Sequence, residues 1–337
     1  MQELARGFRA MNTDILAVVV TDAVREAERA LDQVQALFEG TEAVLSRFLP
    51  DSDLSRLNRS GGRPFAASPL LLRAVSEALA AACTTEGLFD PTVLRSLIAA
   101  GYDRSFDLLD PAGSKLVPAA VAQGPFGHGV PGPATPGAAS GATGFPTVRT
   151  SASWRDVILD VRAGTITLPP GVGLDLGGIG KGWTIDRAAE LLRTLENFVV
   201  DAGGDIYLAG TQANGSLWTV GIESPFDRGS DLAVLALRDR AVATSTTSRR
   251  RWQREGLEQH HIIDPRTGQP ARSGVVSATV VAERVARAEV LAKAALLLGP
   301  EEGLDYLARE EGAEGVLVLE DGSLASTEGF REVLHGA

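Results

Sequence analysis

The sequence predicts an α+β fold, in which helices and strands are mixed without regular alternation. Apolar residues recur at helical spacing over residues 22–46 and 68–86, and again over residues 286–298 and 300–311. Between these helices lie short runs rich in Val, Ile and Leu, which are typical of strands. Because these runs follow one another instead of alternating with helices, the pattern favours an α+β fold over a doubly wound sheet.

The first quarter of the chain is predicted to form one strand and two helices. Residues 8–20 end in the apolar run ILAVVV, which indicates a strand that leads into the helix over residues 22–46. Residues 45–64 are rich in Pro, Asp, Ser and Gly, so a loop with at most a short helix follows. Ser68 and Pro69 suit the N-cap and the first position of the second helix.

The second half of the chain is predicted to be richer in strands. Turn residues indicate hairpins at residues 163–164 and 321–322, and a Gly-rich turn before residue 183 joins a strand to a helix. The other strand candidates are residues 198–210, 217–225, 232–245, 260–264 and 275–283.

The length of 337 residues suits one globular unit, and we expect a single domain over residues 1–337. Residues 111–150 interrupt the pattern because they are dense in Gly, Pro, Ala and Ser. Such a segment cannot bury enough apolar surface to offset its ordering entropy. We therefore expect a flexible Gly/Pro-rich insertion within the domain.

The composition excludes several classes of function. The formal net charge of -11 predicts that the protein binds no nucleic acid, although one nucleotide in a Gly-lined pocket is compatible with it. Cys83 is the only cysteine, so an internal disulfide and a Cys-based metal site are excluded, and its apolar neighbours predict a buried side chain. The apolar run near the start is too short for a signal or a membrane span, so we expect no span and a cytoplasmic location.

Residues 175–183, which read DLGGIGKGW, are the sharpest local signal of a ligand site. Their glycines leave backbone N–H groups uncovered where a helix begins, and such groups bind anions. Lys181 adds a positive charge suited to phosphate. The segment is neither a Walker A loop, because no Ser or Thr follows Lys181, nor a dinucleotide fingerprint, because Trp183 stands at the third glycine position. The pattern fits a nucleotide site or a tight strand-to-helix turn.

Two further segments carry polar groups. The glycine pair at residues 203–204 fits either a close approach to a ligand or a β-bulge. Thr244 and Ser245 offer hydroxyl groups, and the three arginines that follow them fit a solvated face better than a phosphate clamp. His261 opens a short strand that ends in the turn at residues 264–268, where Asp, Pro and Gly favour a turn on their own.

Taken together, these segments resemble the ApbE family of flavin transferases. Eight short segments occur in the order of that family between about residues 8 and 300: AMNT, SRFLPDSDLSRLN, GLFDPTV, DLGGIGKG, DAGGDI, AVATS, HHIIDPRTG and AEVLAKAALLLG. The resemblance implies a mixed α/β fold of two lobes with an FAD cleft between them. It also implies an FAD:protein FMN transferase, in which a Thr or Ser hydroxyl of an acceptor protein attacks the FMN phosphorus near Mg²⁺ and AMP leaves.

The resemblance assigns residues to that site, motif by motif. The residues implied to contact FAD are Met11, Phe48, Leu88, Phe89, Asp90, Asp175, Lys181, Thr244, Ser245 and Ile263. The Gly178 carbonyl and the Glu289 carboxylate are implied to bind Mg²⁺. Glu289, Lys293 and His261 are the candidate catalytic residues, with Glu289 or Asp264 as proton acceptor or metal orienter.

The last motif departs from the family pattern. Family members usually carry Asp and Thr as Mg²⁺ ligands where this chain has Glu289 and Lys293. Glu289 keeps the carboxylate, but a protonated Lys has no lone pair for a metal. The two residues are four apart on a predicted helix and share a face, either in the site or as a surface ion pair. Two alternatives therefore stay open: an FAD pyrophosphatase that gives FMN and AMP, and a non-catalytic flavin-binding protein.

Overall fold

The computed structural model describes residues 1–109 and 152–336, so the insertion predicted at residues 111–150 lies outside the described residues. The helices of this part are α1 (Val24–Leu45), α2 (Asp53–Asn58), α3 (Pro69–Thr84), α4 (Leu94–Ala99), α5 (Gly180–Leu192), α6 (Val285–Leu298) and α7 (Pro300–Arg309). Among these helices, none is long and apolar enough to cross a lipid bilayer.

The strands fall into one large sheet and four small ones. In chain order they are β1 (Gln2–Ala10), β2 (Thr13–Thr21), β3 (Phe65–Ala66), β4 (Ile158–Asp160), β5 (Thr165–Thr167), β6 (Phe198–Ala202), β7 (Asp205–Ala209), β8 (Trp218–Glu223), β9 (Asp231–Leu237), β10 (Arg240–Thr246), β11 (Arg251–Arg254), β12 (Leu257–His260), β13 (Ile263–Asp264), β14 (Gln269–Pro270), β15 (Val275–Ala282), β16 (Glu314–Leu319) and β17 (Leu324–Ser326).

The central sheet has eight strands in the order β1-β2-β6-β7-β10-β15-β16-β17, and every neighbouring pair is antiparallel. Antiparallel strands need no helical crossover between them, which explains why strand runs follow one another in the sequence. The predicted α+β class is confirmed.

Both faces of the central sheet are covered. Helices α1, α5 and α6 pack on one face, where Val34, Ile185 and Ala292 are buried against the strands. The β8–β9 hairpin packs on the other face through Val220 and Leu235. Strand β15 is therefore buried along its whole length, and its sequence is apolar on both faces apart from Ser277 and Thr279.

A smaller part of the molecule, which we call the second lobe, comprises residues 46–109 and 152–174. It contains α2, α3, α4 and the three-stranded sheet β3-β5-β4. Its core includes Leu57, Val75 and Ile166 and continues into α5 and α6 through Trp183 and Val290. The shared core fixes the second lobe against the central sheet.

Two sequence-based expectations are corrected by the structure. Residues 8–20 do not form one strand, because the chain reverses at Met11 and Asn12 to make the β1–β2 hairpin. Cys83 is exposed, although a buried side chain was expected. It lies near the end of α3, whose buried face is carried by Ala78 and Ala82 instead.

Candidate functional site

A cleft of about 970 Å³ lies between the central sheet and the second lobe. A volume of this size is at the upper end of small-molecule pockets. Apart from Asp264, the residues that the sequence motifs assigned to the site all line the cleft: Met11, Phe48, Leu88, Phe89, Asp90, Asp175, Gly178, Lys181, Thr244, Ser245, His261, Ile263, Glu289 and Lys293. Residues far apart in the chain thus meet in one place.

Met11 reaches the cleft because of the turn that joins β1 to β2. Ala10 pairs with Thr13, so the turn has two central residues, Met11 and Asn12, with φ of 52° and 59°. Two positive φ values define a type I′ turn, which matches the twist of a hairpin but is unfavourable for Met. A bulky residue held in this conformation is typical of a functional position.

Asp175 is held by an arginine that the motif assignment left out. The Arg47 guanidinium donates to the Asp175 carboxylate from Nε at 2.5 Å, and both side chains are largely buried. The same guanidinium lies over the rings of Phe48 and Tyr102, with distances of 4.1 and 4.6 Å from Cζ to the ring centroids. The aromatic rings and Asp175 therefore fix Arg47 at the wall of the cleft.

The segment around Asp90 is held by local hydrogen bonds. Asp90 accepts from the Thr92 backbone N–H at 2.7 Å and from the Thr92 hydroxyl at 2.6 Å. The backbone N–H of Phe89 donates to the Thr85 hydroxyl at 3.0 Å. Burial raises the pKa of Asp90, and the two bonds from Thr92 oppose that rise.

Helices α5 and α6 cap each other. The Glu289 carboxylate on α6 accepts from the Gly182 backbone N–H in the first turn of α5 at 3.1 Å. In return, Asp186 on α5 accepts from the backbone N–H groups of Val285 and Ala286, at 2.7 and 3.1 Å, in the first turn of α6. A carboxylate at a helix N-terminus satisfies unpaired N–H groups and is favoured by the helix dipole.

This close approach depends on the absence of a side chain at residue 182. A Cβ atom added to Gly182 would lie 2.9 Å from the Ala286 nitrogen and 2.9 Å from Glu289 Oε2. The glycine of the DLGGIGKG motif therefore serves helix packing, and it also positions the Glu289 carboxylate.

Lys181 lies between two buried carboxylates. Its ammonium forms an ion pair with Asp205 and lies 3.4 Å from Glu289 Oε1. Burial by itself lowers the pKa of Lys181, but the two carboxylates outweigh burial and raise it above the ordinary value. Burial raises the pKa of Glu289, against the opposing effect of Lys181. Lys181 thus offsets part of the negative charge on the floor of the cleft.

Lys293 lies at the same end of the cleft and contacts the glycine loop. Its Nζ donates to the Gly178 carbonyl at 3.2 Å and lies 5.3 Å from the centroid of the Phe89 ring. Burial lowers the pKa of Lys293, and Glu289 and Asp175 oppose this effect. The surface ion pair considered for Glu289 and Lys293 is therefore wrong, because both side chains face the cleft.

Thr244 and Ser245 enter the site from β10, a central strand of the large sheet. The Thr244 hydroxyl is 2.9 Å from that of Thr279 on β15, and the Thr244 backbone N–H donates to Asp205 at 3.3 Å. Ser245 is 6% exposed. Asp205 therefore links the strand of Thr244 to Lys181.

His261 and Ile263 line the cleft beside the two lysines. Among the described residues, no partner hydrogen-bonds to the buried Nδ1 atom of His261. Burial lowers the pKa of His261 well below its ordinary value of 6.5, and the charge of Arg250 lowers it further. The ring is therefore neutral near pH 7, and the same influences make it a weaker base than an exposed histidine.

The turn after Ile263 is structural. Asp264 accepts from the Arg266 backbone N–H at 2.9 Å and pairs with the Arg266 guanidinium, also at 2.9 Å. Arg266 in turn donates to the Leu297 carbonyl at the end of α6. Asp264 is thus committed to the turn, and we do not assign it the role of proton acceptor.

The charged residues of the cleft that the motif assignment missed include Arg47, Asp205 and Arg250. Arg47 adjoins Phe48 in the same motif, so its position was available in the sequence, but its pairing with Asp175 depends on the tertiary fold. Arg249 and Arg250 both line the cleft, where Arg249 pairs with Glu223, whereas Arg251 pairs with Glu258 and is not part of the lining. No sequence signal separates the two arginines that line the cleft from the third.

The donor set of this arrangement does not fit the Mg²⁺ that the resemblance implied. The Gly178 carbonyl already accepts from Lys293, and both oxygens of Glu289 face donors on Lys181 and Gly182. In the described ranges, no group of three or more His, Cys, Asp or Glu side chains could hold a metal. Magnesium demands near-octahedral oxygen coordination, which an ammonium group cannot supply.

Comparison with known sequences identifies relatives along most of the chain. A sequence profile of the ApbE family matches residues 11–317. A Treponema pallidum protein named FAD:protein FMN transferase is 30% identical over 327 residues, which cover 90% of this chain and 81% of that protein. A protein of the same name from Vibrio cholerae is 29% identical over 289 residues, or 83% of this chain and 77% of that protein.

Solved structures have the same fold. The ApbE protein of Thermotoga maritima matches with a TM-score of 0.80 and 24% identity, and the match covers 99% of this chain and 100% of that one. The flavin transferase ApbE from Vibrio cholerae matches with a TM-score of 0.74 and 24% identity, over 99% of each chain. At this identity the structural matches establish the fold alone.

Proposed function

The chain belongs to the ApbE family, and from this premise we propose that it is an FAD:protein FMN transferase. It transfers the FMN part of FAD to a Ser or Thr hydroxyl of an acceptor protein and releases AMP. The observation that carries the proposal is that the motif residues, apart from Asp264, line one cleft of about 970 Å³. The name FAD:protein FMN transferase of both relatives supports the same reaction.

The proposed reaction is a phosphoryl transfer. The acceptor hydroxyl oxygen attacks the phosphorus of the FMN half, a new P–O bond forms, and the P–O bond to the AMP phosphate breaks. The hydroxyl proton passes to the imidazole ring of His261, which lines the cleft and is neutral near pH 7. The positive charges of Lys293 and Arg250, which line the cleft, stabilise the charge that develops on the phosphate oxygens.

The other side chains bind and orient the substrate. Met11 and Phe48 offer apolar surface for the flavin ring, and Arg47 keeps Phe48 in place through its stacked guanidinium. Asp175 is already paired with Arg47, so it contributes to FAD binding as part of that ion pair. Lys181 offsets part of the negative charge of Asp205 and Glu289, which would otherwise repel the pyrophosphate more strongly.

The first experiment incubates the full chain with FAD, with and without a protein that carries a Ser or Thr acceptor site. AMP is measured by chromatography and the acceptor by intact mass. A transferase releases AMP in step with flavinylation of the acceptor. AMP release without an acceptor at the same rate would support the pyrophosphatase, and FAD binding without AMP would support the non-catalytic binding protein.

The role of His261 is tested by substitution. A positioned general base contributes about 100-fold or more, so His261→Gln should lower AMP release by at least that factor while FAD still binds. His260→Gln is the matched control, because both ring nitrogens of His260 bond backbone groups. Equal activity of the two variants would remove His261 as the base.

The cytoplasmic location expected from the sequence stays a prediction, which cell fractionation checks.

A further inference from the structure

The contact between Lys293 and Gly178 supports an inference about the source of positive charge in the cleft. The Lys293 ammonium donates to the carbonyl that the resemblance assigned to Mg²⁺, at 3.2 Å. We propose that this ammonium takes the place of a bound divalent cation, so that FAD binding and FMN transfer proceed without Mg²⁺. The proposal rests on the proposed function of the cleft and adds to it the source of positive charge.

The fit between the two residues supports this substitution. A Cβ atom added to Gly178 would overlap Lys293 Nζ and lie 3.2 Å from Lys293 Cε, so the ammonium occupies the space that a side chain would fill. The Phe89 ring adds a cation–π contact, with 5.3 Å between Nζ and the centroid. The glycine loop, the aromatic ring and helix α6 together hold the charge in one position.

The charged groups around Lys293 also favour an ammonium over a divalent ion at this position. Glu289, the only carboxylate that the resemblance assigned to the metal, accepts from Gly182 and lies 3.4 Å from Lys181 Nζ. A divalent ion at the Gly178 carbonyl would be next to the Lys293 ammonium, and like charges at that range repel. A pyrophosphate oxygen that reaches the same point instead gains a charge-assisted hydrogen bond.

The test measures FAD binding by quenching of flavin fluorescence, first in excess EDTA and then in MgCl₂. The wild-type chain should bind FAD with the same affinity, within about twofold, in both buffers. Its AMP release should be equally insensitive to EDTA. Electron paramagnetic resonance with Mn²⁺ as the probe should detect no tight site in the wild-type chain.

Two variants separate the effect of the Lys293 charge on FAD affinity from a general effect of substitution in α6. Lys293→Thr should lose about tenfold or more in FAD affinity in EDTA, because a charge-assisted hydrogen bond is gone, and Mg²⁺ should restore the affinity. Arg287→Thr is the matched control, since it removes a cation from the same helix at a position that pairs with Glu283 and Glu310 outside the cleft. It should bind FAD as the wild type does.

Gly178→Ala provides a second route if Lys293→Thr does not fold. Gly178 does not adopt a left-handed conformation, so Ala is compatible with the backbone, but its Cβ displaces the ammonium. It should also lower FAD affinity in EDTA at least tenfold. Wild-type affinity in this variant would overturn the inference.

Two results for the wild-type chain separate this inference from the proposed function. FAD binding or AMP release that requires Mg²⁺, or a tight Mn²⁺ site, would overturn the inference and leave the transferase proposal intact. Failure to bind FAD in either buffer would overturn both.

Discussion

Replacing Lys181 by Met tests the charge balance of the cleft floor. The substitution keeps most of the length of the side chain and removes a cation that pairs with Asp205 and lies 3.4 Å from Glu289 Oε1. Both carboxylates are buried, with 4% and 6% of the residue exposed. At an effective dielectric constant of about 20, a charge pair at 3.4 Å interacts by about 5 kcal/mol.

The loss of folding free energy follows from this burial. Removal of one partner of a buried ion pair costs roughly 3–5 kcal/mol, because the other charge stays buried and unpaired. We therefore expect Lys181→Met to lower the free energy of unfolding by about that amount at pH 7.5. Urea denaturation followed by circular dichroism measures it. Arg193→Met, which removes an exposed cation at the end of α5, should change the value by less than about 0.5 kcal/mol.

The same variant should change the pH dependence of stability. Without Lys181, the pKa of Glu289 loses the largest influence that opposes its rise by burial, so it moves further above its ordinary value of 4.5. The folded variant then binds more protons than the unfolded chain, and its stability falls as the pH rises above about 4.5. Adding Glu289→Gln should remove much of this slope. A loss below about 1 kcal/mol, with no pH dependence, would refute the reasoning.

Three further predictions concern positions outside the chemistry of the cleft. Burial lowers the pKa of His260 to about 4. The stability that its neutral form supplies is therefore present above about pH 6.5 and is lost as the pH falls towards 4, by up to about 3 kcal/mol. The free energy of unfolding of His260→Gln should fall less steeply with decreasing pH than that of the wild type. Asn58 exchanges two hydrogen bonds with the backbone of Leu174, at 2.7 and 2.9 Å, so Asn58→Ala should cost roughly 1–3 kcal/mol in urea unfolding. Cys83 is exposed, so Ellman's reagent should titrate one thiol in the native protein, and a thiol that reacts only after unfolding would contradict the structure.

Most helices and the order of the motifs could be predicted from the sequence. The helical spacing over residues 22–46 and the Ser68 cap correspond closely to α1 and α3, because amphipathic spacing and capping chemistry are local signals. The turn at Met11 and Asn12 was missed for the opposite reason. Asn12 favours a positive φ, but neither residue is Gly and Met11 disfavours that conformation, so the local signal for a reversal is weak.

The exposed position of Cys83 shows a limit of composition as a guide. The residues next to Cys83 in the sequence are apolar, but Ser76, seven positions earlier on the same face of α3, is polar and exposed. The packing of α3 against the second lobe buries Leu71 and Ala78 and leaves Cys83 outward.

Pairings within the cleft depend on contacts between distant parts of the chain. The sequence motifs placed Asp175, Lys181 and Glu289 in one site, but they could not show that Arg47 and Asp205 would bind these groups. Arg47 and Asp175 are separated by 128 positions in the chain. Their pairing requires the second lobe to close on the glycine loop, and no spacing rule encodes that contact.

The mutual capping of α5 and α6 has a consequence for local opening of the protein. Neither helix can unfold its first turn without breaking a cap that it provides to, or receives from, the other helix. We therefore expect the amide hydrogens of Gly182, Val285 and Ala286 to exchange with solvent in one concerted event, with a common free energy of opening. A ligand that fills the cleft and holds Glu289 in place would then also slow amide exchange at the start of α6. It would do so without contacting that helix start, whose N–H groups are bound by Asp186.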